Sequence, residues 1–242
     1  MARKTSIEWT QMTWNPVTGC NKVSPGCKHC YAEVMARRLQ FMGTERYANG
    51  FRLTLHHDLL ELPKQWRQPR LVFVNSMSDL FHPSVPLDFI QRVFSTMAEC
   101  TQHQFQVLTK RAERLVELSG SLVWADNVWM GVSVENAGYA FRSELLRGVP
   151  AIIRFLSVEP LLGPIPRLPL KGIHWVIVGG ESGPGARPMK REWVDCIHAQ
   201  CVRAEVAFFF KQWGGVQKHR TGRRLNGRTF NAMPRLALSK QT

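Results

Sequence analysis

Nothing in this chain is apolar for long. No stretch approaches the about 20 residues that a membrane helix needs. The start, Met1-Ala-Arg-Lys-Thr-Ser-Ile-Glu-Trp9, has no apolar run of the signal-peptide kind. No membrane partner is therefore expected, and the sequence reads as cytoplasmic. Cysteine is scarce, with 6 in 242 residues. Cys100, Cys196 and Cys201 are scattered, so no disulfide framework is expected and reduced thiols are assumed. The Gly-x-x-x-x-Gly-Lys-Ser/Thr phosphate loop is missing, which leaves nucleotide hydrolysis without support. Internal repeats and low-complexity linkers are missing as well, so residues 1–242 read as one domain. Nothing in the sequence sets the oligomeric state.

Acidic residues are also short: 18 Asp and Glu face 32 Lys and Arg, a formal charge of +14. The imbalance is steepest in the basic C-terminal segment, residues 206–242. It holds no acid but carries Lys211, Lys218, Arg220, Arg223, Arg224, Arg228, Arg235 and Lys240. Such an excess points to a polyanionic partner, most often nucleic acid. The plainer alternative is a solvated tail. Trp9, Trp14, Trp213 and Phe230 flank basic segments and are candidates for stacking on bases, with core packing as the rival reading.

What is present is a recurring pattern. Apolar runs at Leu71–Val74, Phe105–Leu108, Val128–Val134, Ile152–Val158, Ile173–Val178 and Val206–Phe210 alternate with helical stretches. Those stretches are Leu87–Cys100, Ala112–Leu118, Ala137–Leu146 and Arg191–Arg203. Continuous apolar strands separated by helices predict an α/β fold whose parallel sheet is covered on both faces. Polar residues follow each strand: Asn75, Ser76, Ser78 and Asp79; Thr109 and Lys110; Ser133, Glu135 and Asn136; Ser157 and Glu159; Glu181 and Ser182; Lys211 and Gln212. Singly, each reads as a turn or helix cap. Together they mark the C-terminal rim where parallel α/β folds bind ligands.

The most informative segment is Cys20-Asn-Lys-Val-Ser-Pro-Gly-Cys27-Lys-His-Cys30-Tyr31. A structural zinc site closes on four protein ligands. Three close thiolates suit a centre with one open position, as in a [4Fe-4S] cluster with one iron free. The loop follows a first strand expected within Ile7–Val17, which places it on the same rim. Zinc stays open as the alternative. Cys-x-x-Cys is also a zinc half-site, and His29 or His56 would supply a fourth ligand. His56-His57-Asp58 otherwise reads as a surface group. Cys196 and Cys201, on one helix, read as core.

A three-cysteine loop after the first strand of such a fold resembles the radical S-adenosylmethionine (SAM) superfamily. More closely, several segments resemble the phage-associated three-cysteine-motif family over the whole chain. They are Thr13-Trp-Asn-Pro-Val-Thr-Gly-Cys20, Ser24-Pro-Gly-Cys27 to Tyr31, Ser157-Val-Glu-Pro160, Gly179-Gly-Glu-Ser-Gly183, Gly227-Arg-Thr229 and Met233-Pro234. One departure is the gap of six residues between Cys20 and Cys27, where three is commoner in the superfamily.

The resemblance implies a partial (β/α)6 barrel of parallel strands. Cys20, Cys27 and Cys30 would hold a [4Fe-4S] cluster whose open iron takes SAM, and reduction by a partner reductant protein would yield a 5′-deoxyadenosyl radical. Ser76, Ser78 and Asp79, with Glu135 or Glu159, are then candidates for the SAM ammonium, and Lys110 or Arg187 for its carboxylate. Gly179 and Gly180 would let the backbone approach the ligand, and Glu181 would hold a ribose hydroxyl or the ammonium. The alternative is a non-catalytic, zinc- or cluster-stabilised nucleic-acid-binding protein. Substrate and bond attacked stay open.

Overall fold

The apolar runs pair with one another in chain order. A computed structural model describes residue 5 and residues 7–234; Arg235, Lys240 and the side chain of Lys218 lie outside what it describes. In order the elements are β1 (Met12–Trp14), β2 (Val17–Thr18), α1 (Tyr31–Phe41), β3 (Thr54–Leu55), β4 (Leu71–Val74) and α2 (Leu87–Glu99). Next come β5 (Gln104–Thr109), α3 (Ala112–Ser119), β6 (Val128–Ser133), α4 (Phe141–Leu146), β7 (Ile153–Val158), β8 (Trp175–Gly179), α5 (Arg191–Arg203), β9 (Ala207–Gln212) and α6 (Lys218–Thr221). Seven strands form one sheet in the order β1-β4-β5-β6-β7-β8-β9, parallel at every pairing. The sheet curls into a half-barrel. Its seven strands are the six apolar runs and the first strand expected within Ile7–Val17, here the three-residue β1 paired with β4, where the family resemblance implied six.

Two apolar clusters sandwich this sheet. The outer one joins Val72, Val107, Met130, Leu156 and Val176 to α2 (Phe89, Val93), α3 (Leu115) and α5 (Val194, Ile197). The inner one holds Trp9, Phe73, Trp129, Phe155, Trp175, Ile177 and Phe209 and includes no helix residue. Side chains alternate along a strand, so β6 and β8 are buried throughout. Trp9 plugs the inner face, edge-on to Phe73 at 4.8 Å and to Trp175 at 6.1 Å. Trp9 and Trp14 are therefore core residues, 4% and 1% exposed, and not available to stack on bases. Phe230 packs against Phe208, and Trp213 donates its indole N–H to the Arg224 carbonyl.

The alternation of strand and helix lapses once. No helix joins β7 to β8; an irregular segment there buries Leu161, Ile165, Leu168 and Leu170 in a helix's place. The far edge of the sheet is covered: residues 230–232 run antiparallel to β9, with Phe210 N–H on the Phe230 carbonyl at 2.9 Å. Such cover removes a template for unwanted strand pairing. Among the described residues no helix is long and apolar enough to cross a membrane.

Candidate metal centre

Continuing the inner-face alternation past the aromatic plug gives polar residues at the strand ends, and the cysteine loop lies over them. Its entry is set by Gly19, at φ +80°. A Cβ at Gly19 would collide with the Arg52 carbonyl, so only glycine allows the crossing. Gly19 N–H bonds the Met77 carbonyl (3.0 Å) and Cys20 N–H the Phe51 carbonyl (3.2 Å). Cys20 thus starts the loop at the C-terminal end of β4. Cys30 precedes the first turn of α1.

Cys20, Cys27 and Cys30 line one cavity of about 150 Å³ with Asn75, Ser76, Ser78, Asp79, Lys110 and Ser133. Among the described residues no three His, Cys, Asp or Glu side chains are drawn together as a ready ligand set for one ion. Zinc wants its donors about 2.3 Å from a single point, whereas a four-iron cluster spreads its thiolates over several metals. Three thiols around one cavity are a donor set of the kind that holds such a cluster. Two further features fit it. Asn75 is 3% exposed and lines the cavity with both side-chain polar atoms unpartnered. Arg111 Nη1 lies 3.6 Å from Cys20 Sγ. Burial raises the Cys20 thiol's pKa and Asp79 adds to this, while the Arg111 charge opposes both.

Of the candidates named from sequence, Ser76, Ser78, Asp79 and Lys110 join the cysteines. Ser76 Oγ donates to Asn15 Oδ1 (3.1 Å) and Ser78 Oγ to the Gly19 carbonyl (2.5 Å), so both oxygens remain acceptors. Lys110 Nζ donates to Ser133 Oγ (3.1 Å) and has no carboxylate partner among the described residues. Asp79 is spoken for. It accepts from Thr109 Oγ1 (2.7 Å), Arg111 Nη1 (2.9 Å) and the N–H groups of Phe81 and Lys110.

The others are not among the residues that line this cavity, and they have other partners. Glu135, 0% exposed, accepts from Ser24 Oγ (2.5 Å) and Arg142 Nη1 (3.0 Å). Glu159 pairs with Lys211 at 3.1 Å. Glu181 accepts from Arg187 Nη2 (2.5 Å), from Arg187 Nε (2.9 Å) and from His29 Nδ1 (3.0 Å). Burial would raise its pKa, but the Arg187 and His29 hydrogen bonds outweigh that and hold it at about 2. Arg187 is committed to Glu181 and to the Pro25 carbonyl (2.9 Å). Gly179 and Gly180 allow close approach of other parts of the chain. A Cβ at Gly179 would strike the Glu159 carboxylate, and one at Gly180 the Trp213 carbonyl. The pair packs strand ends together.

The zinc alternative loses one ligand. His56 is buried, not on the surface, with Nε2 2.9 Å from Thr18 Oγ1. His29 keeps Nε2 free, since only its Nδ1 meets Glu181. Cys201 is fully buried, as expected of a core residue, and burial pushes its thiol up to about 12. Sequence reasoning placed Asn75 on the rim without naming it as a ligand, and passed over Arg111 and Arg142. Only Asn75 had a signal, as the first polar residue after a strand. The two arginines look like any others among the chain's many basic residues.

Three comparisons with known proteins bear on this arrangement. The fold is similar to that of a spore photoproduct lyase variant with dinucleoside spore photoproduct: TM-score 0.51, 10% identity, covering 83% of this chain and 63% of that one. A second form of that enzyme, with bound AdoMet and dinucleoside spore photoproduct, gives TM-score 0.48 and 9% identity, covering 83% and 63%. The chain thus spans less than two thirds of those proteins, and what the likeness shows is the fold, a partial barrel of parallel strands. No curated protein matches significantly. By sequence, the profile of the family described as "Protein of unknown function (DUF5131)" matches residues 4–234, and the chain belongs to that family.

Proposed function

We propose that this chain is a radical SAM-type enzyme acting on nucleic acid. The observation that carries the reading is the cavity at the C-terminal rim of the half-barrel, where three thiols meet an ammonium without a carboxylate partner, hydroxyl acceptors and an unpartnered amide. Cys20, Cys27 and Cys30 would hold a [4Fe-4S] cluster. With SAM bound and one electron from a reductant protein, such a cluster would supply cleavage of the sulfonium C–S bond to methionine and a hydrogen-abstracting 5′-deoxyadenosyl radical.

The chain's own residues bind and orient. Lys110 is the cation for the SAM carboxylate, and Arg187 is not, because it is engaged elsewhere. The Ser76 and Ser78 oxygens, with Asn75, accept from the ammonium. The aromatic plug below keeps water from reaching the cavity through the barrel floor.

Nucleic acid as substrate class is supported by the place of the basic segment. Gly215 N–H bonds the Glu181 carbonyl (2.7 Å) and Gly183 N–H the Gly215 carbonyl (3.2 Å), which ties the segment to the rim that contacts the cysteine loop. Arg220, Arg224 and Arg228 are exposed on it. The dinucleoside ligand of the structural neighbour is of the same chemical class.

Anaerobic reconstitution tests the proposal. The chain should take up iron and sulfide, absorb in the visible, and release 5′-deoxyadenosine when reduced with SAM. Replacing any one of the three cysteines with Ala should abolish that release. Stoichiometric zinc with no SAM cleavage would instead establish a zinc-stabilised binding protein.

A further inference from the structure

The gap between Cys20 and Cys27 is longer than the usual spacing, yet it is not slack. No residue from 20 to 30 is buried, and the only regular structure is the single turn Pro25–Cys27. Hydrophobic burial therefore cannot fix the loop, and its position must come from polar contacts. Three buried carboxylates supply them, on the rims after β4, β6 and β8. Each is paired with an arginine: Asp79 with Arg111 (2.9 Å), Glu135 with Arg142 (3.0 Å) and Glu181 with Arg187 (2.5 Å).

Each pair grips a different point of the loop. Arg111 donates to Asn21 Oδ1 (2.5 Å) and lies against Cys20 Sγ. Glu135 accepts from Ser24 Oγ and is packed so closely on Gly26 that a Cβ there would come within 2.6 Å of its Cγ. Arg187 reaches the Pro25 carbonyl, while Glu181 takes His29. Asn21, Ser24, Pro25 and Gly26 all belong to the long gap. A three-residue gap would lack the reach to meet all three rims, whose strands β4, β6 and β8 alternate with β5 and β7 and so lie about 10 Å apart in succession across the sheet.

We propose that the residues between Cys20 and Cys27 form a strap across the mouth of the half-barrel, and that Asp79, Glu135 and Glu181 are positioning residues that set the geometry of the three thiols through it. This rests on reading those thiols as cluster ligands. Charge-assisted, partly desolvated hydrogen bonds hold a fixed geometry better than neutral ones. Partners behind metal ligands act on affinity in the same way.

The test uses the full chain and three variants. Ser24→Ala removes one grip without leaving a buried charge unpaired. Gly26→Ala forces the loop away from Glu135. Lys28→Ala alters an exposed side chain that grips none of the three rims and serves as control. In metal-free, reduced protein with unchanged circular dichroism, iodoacetamide should alkylate Cys27 several-fold faster in the first two variants than in wild type or control. After reconstitution, iron retention should weaken by about 10-fold in those two, and the EPR signal of the reduced protein should broaden. Alkylation, iron retention and EPR all matching the control would overturn the proposal. The alkylation readout needs no metal. A wild-type chain that takes up no iron but shows the alkylation difference would keep the strap and defeat the cluster assignment.

Discussion

Glu181 is 5% exposed and yet ionised. Its pKa is held at about 2, against 4.5 for a free glutamate, by the guanidinium and backbone N–H of Arg187 and by His29. A carboxylate with a depressed folded pKa stabilises the fold above its unfolded pKa, and that contribution fades as pH falls through the folded value. Here the window runs from about 4.5 down to about 2, and the contribution at neutral pH is on the order of 3 kcal/mol. Glu181→Gln should therefore be less stable than wild type at neutral pH, with the difference shrinking at about pH 3. Urea unfolding midpoints at the two pH values measure this. Equal differences at both would show that Glu181 contributes no pH-linked stability.

At the scale of elements, the inner face of the sheet depends on one glycine. Gly131 on β6 faces Phe155 on β7, its register partner, and a Cβ at 131 would overlap the Phe155 ring. Overpacking of this kind costs about 1–3 kcal/mol, because strands held by neighbours on both sides cannot shift to make room. Gly131→Ala should lose that much in chemical denaturation, and adding Phe155→Leu should recover part of it. A double-mutant cycle with no coupling would refute the contact as the cause. The helices were readable from their own residues. The α2 stripe Phe89, Ile90, Val93, Phe94 and Met97 recurs at helical spacing and is wholly buried, and Asp88 suits its first turn. The irregular β7–β8 connection was not readable, because its buried leucines and isoleucines follow neither period.

For the molecule as a whole, charge is the feature a partner would sense first. A formal +14 is spread over the chain, but Arg220, Arg224 and Arg228 stand exposed on a segment tied to the rim beside the cysteine loop. Single-stranded oligonucleotide binding, followed by fluorescence anisotropy, should weaken steeply with salt. Replacing all three arginines with Gln should reduce the log–log salt slope by about 2, at roughly 0.7 for each phosphate no longer neutralised. No binding at low salt would remove the basis for a nucleic-acid substrate, while a slope unchanged in the triple variant would move the binding surface elsewhere on the molecule.

The sequence by itself determined the strands of the main sheet, most of the helices, the parallel sense of the sheet and the three-cysteine loop on the C-terminal rim. Those features are local: apolar runs, helical period and the short spacing of Cys20, Cys27 and Cys30 are properties of neighbours in the chain. Only the tertiary structure decided which polar rim residues face the cavity and which grip the loop. Asp79, Glu135 and Glu181 look alike in sequence, each a carboxylate after a strand, but the contacts that separate their roles, with Arg111, Ser24 and His29 respectively, come from other segments of the chain. The same holds for Gly179 and Gly180, whose missing side chains make room for Glu159 and Trp213 from other parts of the chain. A buried carboxylate's role is set by whichever donors the fold brings to it, and that pairing is long-range.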